Sequence, residues 1–581
     1  MKLLRRRTFN RMKKRLAFLY GHDRADELAD RLYMLIGRYG LMPQGGERGT
    51  SEIPVWDEKD AVLITYGDMI SREGEPPLTS LQKFCDIHLS QAVNTIHILP
   101  FSPYSSDGGF SVIDYRLIDP NLGSWTEVKR LGQTYDLMFD LVLNHCSSMS
   151  KWFSQYINGV YPYREYFIEE DPSDERLSMV TRPRPWPLLT KTDTSEGVKH
   201  VWTTFSADQV DLNFKSPDVL FEFLDILLSY VASGARIIRL DAVAFLWKKL
   251  GTTCIHLTET HEVVKLFRDV LITVAPHVIL LSETNVPHEE NISYFGKGDE
   301  AHMVYNFALP PLLLHALLRE DSTYIQNWSR DLPALPTGCI FLNFTASHDG
   351  IGVRALDGLV PEGELDWVIE RVNERDGLVS YRSMQDGSKK PYELNITYRD
   401  ALKDLEDPAL GVRRFLCSQA IMLGLKGIPG IYFQSIVGAK NWTEGPKRDG
   451  GENRDINRMR WEWDQLEGIL SETNKDQAWI HSVYVSMLRT RNTHPAFHPE
   501  ADQVVLETCP SIFAFNRIPQ VSKRNAICLY NCSSQPQVVE PRIFDHIVHD
   551  GKVRNILARH EEQVTGLTLE PYQYMWLEPI L

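Results

Sequence analysis

GARIIRLDAVAF, residues 234–245, is an apolar run of buried-strand length that ends on a carboxylate, Asp241, with Arg239 two residues earlier. Burying an acid beside an arginine is costly unless both are paired or put to chemical use. The pattern recurs at Glu283, which closes VILLSETN (278–285), and at Asp349, which closes CIFLNFTASHD (339–349). Three acids thus end three apolar strands, the layout of a parallel barrel whose functional groups gather at the strand C-termini.

Working outward from these three, five further apolar runs complete a set of eight. They are AVLITYGD (61–68), NTIHILPF (94–101), YDLMFDLVLNH (135–145), HMVYNFAL (302–309) and GIPGIYFQSI (427–436). Eight strands separated by helical stretches predict an α/β chain, a (β/α)8 TIM barrel, over 59–145 and 216–490. The spacing predicts insertions after strands 3 and 7, an inserted domain B at 146–215 and a loop-rich subdomain at 350–426, placed to wall the catalytic mouth. Beyond residue 490 short alternating runs such as ADQVVLETC and YQYMWLEP predict a C-terminal antiparallel β domain, 491–581.

Residues 1–58 read as a helical extension, with Leu16, Leu19, Leu28, Leu32 and Leu35 forming an amphipathic stripe before the break QGGERGTSEIP (44–54). Its first fifteen residues are basic and read as a solvated helical face. The apolar LAFLYG that follows is too short for a signal peptide, and no run of eighteen apolar residues offers a membrane span.

A 581-residue chain with 43% hydrophobic and 24% charged residues has the composition of a globular protein of several domains. A formal charge of −15 argues against nucleic acid or an anionic membrane as partner. Any anionic substrate would need dedicated arginines. The eight cysteines (85, 146, 254, 339, 417, 509, 528, 532) form no CxxC pair, which predicts free thiols and a cytoplasmic location. No HxxxH or facial-triad spacing appears, so neither metal nor organic cofactor is expected. Oligomeric state is open between monomer and homodimer.

Two carboxylates across a glycosidic bond can attack the anomeric carbon and protonate the leaving oxygen, about 5–5.5 Å apart in retaining enzymes. Asp241, beside the Arg239 cation, suits the nucleophile, which that cation is expected to keep ionised. Glu283, buried at a strand end, suits the acid. Asp349 is left to hold sugar hydroxyls, with further polar groups at Asp107, Asp140, His145 and His348.

DLVLNH, GARIIRLDAV, LLSETN and TASHDG resemble the four signature segments of the α-amylase superfamily. The sucrose phosphorylase branch is the best match, through LITYGD (63–68), SSDGGF (105–110), RPRP (182–185), FSADQVDLN (205–213), HMVYNFALPPLLLHAL (302–317), SHDGIG (347–352) and NRDINR (453–458). The resemblance implies a double-displacement mechanism on an α-glucoside with inorganic phosphate as the second substrate. It implies Asp241 as nucleophile, Glu283 as acid/base, Asp349 as transition-state stabiliser, and Arg239 as the nucleophile's partner. Asp107, His145, His348, Phe205 and Gln209 would line the glucose site, with Arg184 and Arg454 beside the phosphate, whose geometry suits the guanidinium fork.

On the acceptor side the chain departs from sucrose phosphorylases: Phe245 stands where they carry a tyrosine, and Glu393, after Tyr392, where they carry glutamine. With the N-terminal extension, these features look most like the glucosylglycerate phosphorylases of the branch. Tyr392 and Glu393 are then expected to bind substrate, and Lys389, Lys390 and Arg182 are candidates to meet a glycerate carboxylate. Glucosylglycerol phosphorylase, sucrose phosphorylase, an α-glucosidase or transglucosidase, and an inactive sugar-binding homologue are the alternatives.

Overall fold

The computed structural model describes residues 2–39, 56–384, 388–548 and 550–580. All eight apolar runs form strands of one closed parallel barrel. They are β1 (Val62–Thr65), β2 (Thr95–Ile98), β3 (Asp136–Val142), β4 (Ala235–Asp241), β5 (Ile279–Ser282), β6 (Met303–Tyr305), β7 (Ile340–Phe344) and β8 (Ile428–Tyr432). They pair in sequence order, and β1 closes the ring against both β2 and β8. Nearly every strand residue is buried, because helices cover the outside while side chains fill the inside.

The entry into β4 follows from local sequence. Helix α3 (Pro217–Ala232) starts with proline in its first turn, where no backbone donor is needed. It ends before Gly234, whose φ of +102° lets the chain turn back along the barrel wall. Helix α4 (Thr258–Val274) then carries the chain from β4 to β5, so the strands bearing Asp241 and Glu283 are neighbours in register, Ser282 opposite Leu240.

The insertion after β3 holds the hairpin Leu189–Thr194/Gly197–Trp202 and a short strand, Gln209–Asp211, that pairs with His145–Ser147. The insertion after β7 is narrower than 350–426. Its three-stranded antiparallel sheet spans Ile351–Gly352, Leu378–Ser383 and Lys389–Asn395. Helix α5 (Pro408–Gly424), however, is the barrel's own crossover helix into β8. Helix α6 (Asp476–Arg491) packs on α5 and ends the barrel.

The C-terminal domain is a six-stranded antiparallel sheet. Its second strand, Ile512–Ile518, sends Ile512 and Ala514 into the domain's private core and Phe513 and Phe515 into the core shared with the barrel. Alternation along one strand thus glues the two units together.

The N-terminal extension comprises α1 (Lys2–Tyr20) and α2 (Ala25–Arg38), broken at Gly21. Leu16, Leu19, Leu28 and Leu32 are buried and Leu35 half-buried, as the stripe requires. The glycine-rich stretch 44–54 lies outside the described residues. The basic face, expected from sequence to be solvated, is not wholly so: Arg15 is buried and pairs with Glu262 and Asp269 of α4 at 2.8 and 2.7 Å, joined there by Arg11. All eight cysteines are free, and seven are buried.

Candidate active site

A cavity opens at the C-terminal end of the barrel. Asp241, Glu283 and Asp349 line it together with Asp107, His145, Arg184, Phe205, Gln209, His348, Tyr392 and Arg454. Strand ends, the loops after β2 and β8 and both insertions therefore bring together eleven residues spread over 348 positions of sequence.

Beneath the cavity floor runs a buried relay. His97 on β2 meets Asp140 on β3 at 2.6 Å, Asp140 accepts a hydrogen bond from Arg239, and the same Arg239 Nη1 donates to Asp241 at 2.7 Å. Arg239 lies outside the cavity lining and meets the site through Asp241, with its Nη2 4.0 Å from Glu283 and its guanidinium 5.6 Å from the centre of the Phe110 ring. Burial pushes Asp140 up, but Arg239 and His97 together hold it below the usual carboxylate range.

The residue after Asp241, Ala242, adopts φ 47°, a left-handed conformation that is strained for alanine. Its N–H donates to Glu283 Oε2 at 2.9 Å, so the strained turn fixes the second carboxylate relative to the first. Desolvation raises both acids. For Asp241 the Arg239 charge opposes burial while repulsion from Glu283 adds to it. The expectation that the Arg239 cation keeps Asp241 ionised is therefore not met by that pairing, since burial and Glu283 outweigh it. The two carboxyls titrate as a pair. With Arg239 hydrogen-bonded to Asp241 and 4.0 Å from Glu283, the shared proton belongs on Glu283. Asp349 goes the other way: burial raises it, but Arg454, Arg458, Arg239 and Arg184 outweigh that and hold it below the ordinary range.

Asp107 sits in the SSDGGF loop at φ 51°, followed by Gly108 and Gly109, also left-handed. A Cβ on Gly109 would come within 2.7 Å of the Pro100 carbonyl, so this turn tolerates no side chain there. Gln209 donates to Asp107 at 3.1 Å and contacts His145 at 3.2 Å. Phe110 stacks on His348 with ring centroids 4.7 Å apart, and Phe205 packs between His145 and Phe245. Burial lowers both histidines, His348 furthest, so the imidazoles are neutral near pH 7.

Arg454 is held on three sides. Its Nε and Nη2 grip both oxygens of Glu393 at 3.0 Å, and Nη1 lies 2.7 Å from Asp349. Glu393 thus stands behind Arg454, buried and outside the cavity lining, and meets the cavity only through that arginine. Arg184 faces the ring of Tyr392, 5.6 Å from its centroid. Lys389 and Lys390 are exposed on the insertion sheet, and Arg182 is likewise absent from the lining.

Sequence reasoning also passed over three contributors. Arg458, from the same NRDINR motif, is buried with Nη2 3.6 Å from Asp107 and 3.8 Å from Asp349. Asn285, two residues beyond Glu283, lines the cavity. Asp208 accepts hydrogen bonds from Ser105, Ser106, Ser111 and Ser148, tying the Asp107 loop to the loop that carries Gln209. Its signal was the serine pair of SSDGGF, which could have been read as donors in search of an acceptor.

Residues 90–330 match the family model for the alpha amylase catalytic domain. The chain is 44% identical to a glucosylglycerate phosphorylase of Spirochaeta thermophila, over 98% of each chain. It is 42% identical to one of Allomeiothermus silvanus, over 97% of each. Among solved structures it superposes on sucrose 6F-phosphate phosphorylase from Thermoanaerobacter thermosaccharolyticum with a TM-score of 0.72 at 24% identity, covering 83% of this chain and 96% of that one, a likeness of fold. With the barrel, the three strand-end acids and near full-length identity in agreement, the chain belongs to the glucosylglycerate phosphorylase family of the α-amylase superfamily.

Proposed function

We propose that the protein is a retaining phosphorylase that converts 2-O-α-D-glucosyl-D-glycerate and phosphate into α-D-glucose 1-phosphate and D-glycerate. An Asp241 carboxylate oxygen attacks the anomeric carbon as the bond to the glycerate oxygen breaks, and Glu283 gives its proton to that oxygen. D-Glycerate leaves, and a glucosyl ester on Asp241 remains. A phosphate oxygen then attacks the same carbon and breaks the ester, with Glu283 taking up any proton the phosphate releases. Two inversions give net retention.

The observation that carries this reading is the meeting, in one cavity, of the Asp241–Glu283 pair with Arg184 and Arg454. Water needs no guanidinium to attack a glucosyl ester, whereas a phosphate entering beside three carboxylates does. Asp107, Gln209, His145 and His348 would hold the glucose hydroxyls, and Asp107 Oδ1 and His348 Nδ1 are buried polar atoms without a hydrogen-bond partner among the described residues. Asp349 would strengthen its hold as the ring distorts. The relatives' names supply the acceptor, and eight free thiols suit a reducing cytoplasm.

The test is to incubate purified protein with glucosylglycerate in the presence and absence of phosphate. Phosphate-dependent release of glucose 1-phosphate is expected, with turnover lost by about a thousandfold or more in Asp241→Asn. Free glucose at equal rates in both buffers would make it a hydrolase. Glycerol or fructose outcompeting D-glycerate in the reverse direction would reassign the acceptor.

A further inference from the structure

The phosphate side of the cavity has its cations, but the acceptor of the reaction proposed above is itself an anion. A carboxylate needs a positive partner in a chain with an excess of fifteen negative charges. The lysines suggested by sequence are exposed, and Arg184 and Arg454 serve the phosphate in the reading above.

Two other arginines stand differently. Arg354 follows the short strand Ile351–Gly352 of the insertion sheet, and its Nη1 donates to the backbone carbonyl of Asn285 at 3.3 Å. Asn285 lines the cavity just past Glu283. The approach depends on Gly352, where a Cβ would come within 2.6 Å of the Asn285 side chain. Arg382 lies on Leu378–Ser383, the strand paired with the one that carries Tyr392, another lining residue. Among the described residues neither arginine makes an ion pair, and the Nε of each is buried without a hydrogen-bond partner.

The two guanidinium charges also act on each other. Burial first, then repulsion from Arg354, lowers the basicity of Arg382, and the charges of both arginines are felt at the Tyr392 hydroxyl. Asp357 and Glu290 offset only part of this at Arg382, and two partly desolvated like charges cost stability unless an anion joins them.

We propose that Arg354, bonded to Asn285, and Arg382, on the insertion-sheet strand paired with that of Tyr392, form the clamp for the carboxylate of the acceptor. The proposal rests on the reading of the acceptor as glycerate. The fork of either arginine offers a carboxylate two parallel hydrogen bonds that a neutral polyol cannot answer.

The experiment runs the reverse reaction, α-glucose 1-phosphate with D-glycerate or with glycerol, in wild type and in Arg354→Ala, Arg382→Ala, Arg354→Lys and Arg382→Lys. The ratio of kcat/KM for glycerate over glycerol is expected to fall about tenfold or more in each alanine variant and to recover in part in each lysine variant. The forward KM for phosphate should move much less than the glycerate KM. Should an alanine variant fail to fold, its lysine variant decides, because it keeps the charge and loses the fork. A ratio unchanged from wild type overturns the clamp, and a rise confined to the phosphate KM would assign these arginines to phosphate instead. A wild type indifferent to glycerate sinks the acceptor reading and the clamp with it. A wild type that prefers glycerate beside variants that do so equally sinks the clamp alone.

Discussion

Arg239 sits between Asp140 and Asp241 with one nitrogen serving both, so the protonation of the site is a shared property of several charges. Burial lifts Asp241 and Glu283 above the usual carboxylate range. The nucleophile must be ionised and the acid protonated, so both limbs of the pH–rate profile should lie above ordinary carboxylate values. In Glu283→Gln the alkaline limb of glucosyl transfer should vanish and the residual rate stay flat as pH rises; an unchanged alkaline limb would give the acid role to another group. Asp208 makes a second residue-scale case. With four serine donors on its carboxylate, Asp208→Ala should lower kcat/KM about tenfold, and Asp208→Asn, which keeps part of the acceptor, should restore some of it. Equal loss in both variants would argue against a positioning role. At this scale the sequence was legible where an acid closes an apolar strand, because strand ends have a fixed destination in a barrel. It was illegible at Glu393: nothing local distinguishes a carboxylate that faces substrate from one that faces the arginine facing it.

Elements were legible in proportion to their burial. Every apolar run became a barrel strand, since a strand covered on both faces leaves a continuous hydrophobic signature. The boundary at 426 failed because α5 is buried on nearly all sides and shows little polar face by which to separate it from the insertion before it. The basic start of the chain misled for a different reason: a charge run looks the same whether water or an acidic helix faces it. Arg11 and Arg15 reach across to Asp269 on α4, and Arg31 pairs with Asp218 on α3, so the extension braces both helices that flank β4. Arg15→Ala would leave the buried Asp269 with only the half-exposed Arg11, at a cost of about 3 kcal/mol. Hydrogen exchange in α1 and α4 should quicken accordingly, while kcat on the glucoside stays near wild type. Unaltered exchange would mean that leucine packing alone seats the extension.

Across the whole molecule the site is bought with stability. Desolvation disfavours the charged forms of Asp241 and Glu283 in the folded state, so the native protein holds protons that the unfolded chain would release. Between the unfolded carboxylate pKa and the higher folded value, the native state binds more protons than the unfolded state. Stability therefore falls as pH rises through that window, and the contribution is fully present only below it. Replacing Glu283 with glutamine removes an ionisation the fold resists, while keeping a group able to accept from the Ala242 N–H. The variant should accordingly melt at a higher temperature than wild type, with a small gain near pH 5 that widens toward pH 8, as expected where function is maintained against stability. Scanning calorimetry of both proteins across that range is the measurement. A gain independent of pH would trace the difference to packing around the side chain, and a variant less stable at pH 8 would mean that the ionised glutamate is held by Arg239 more strongly than burial opposes it.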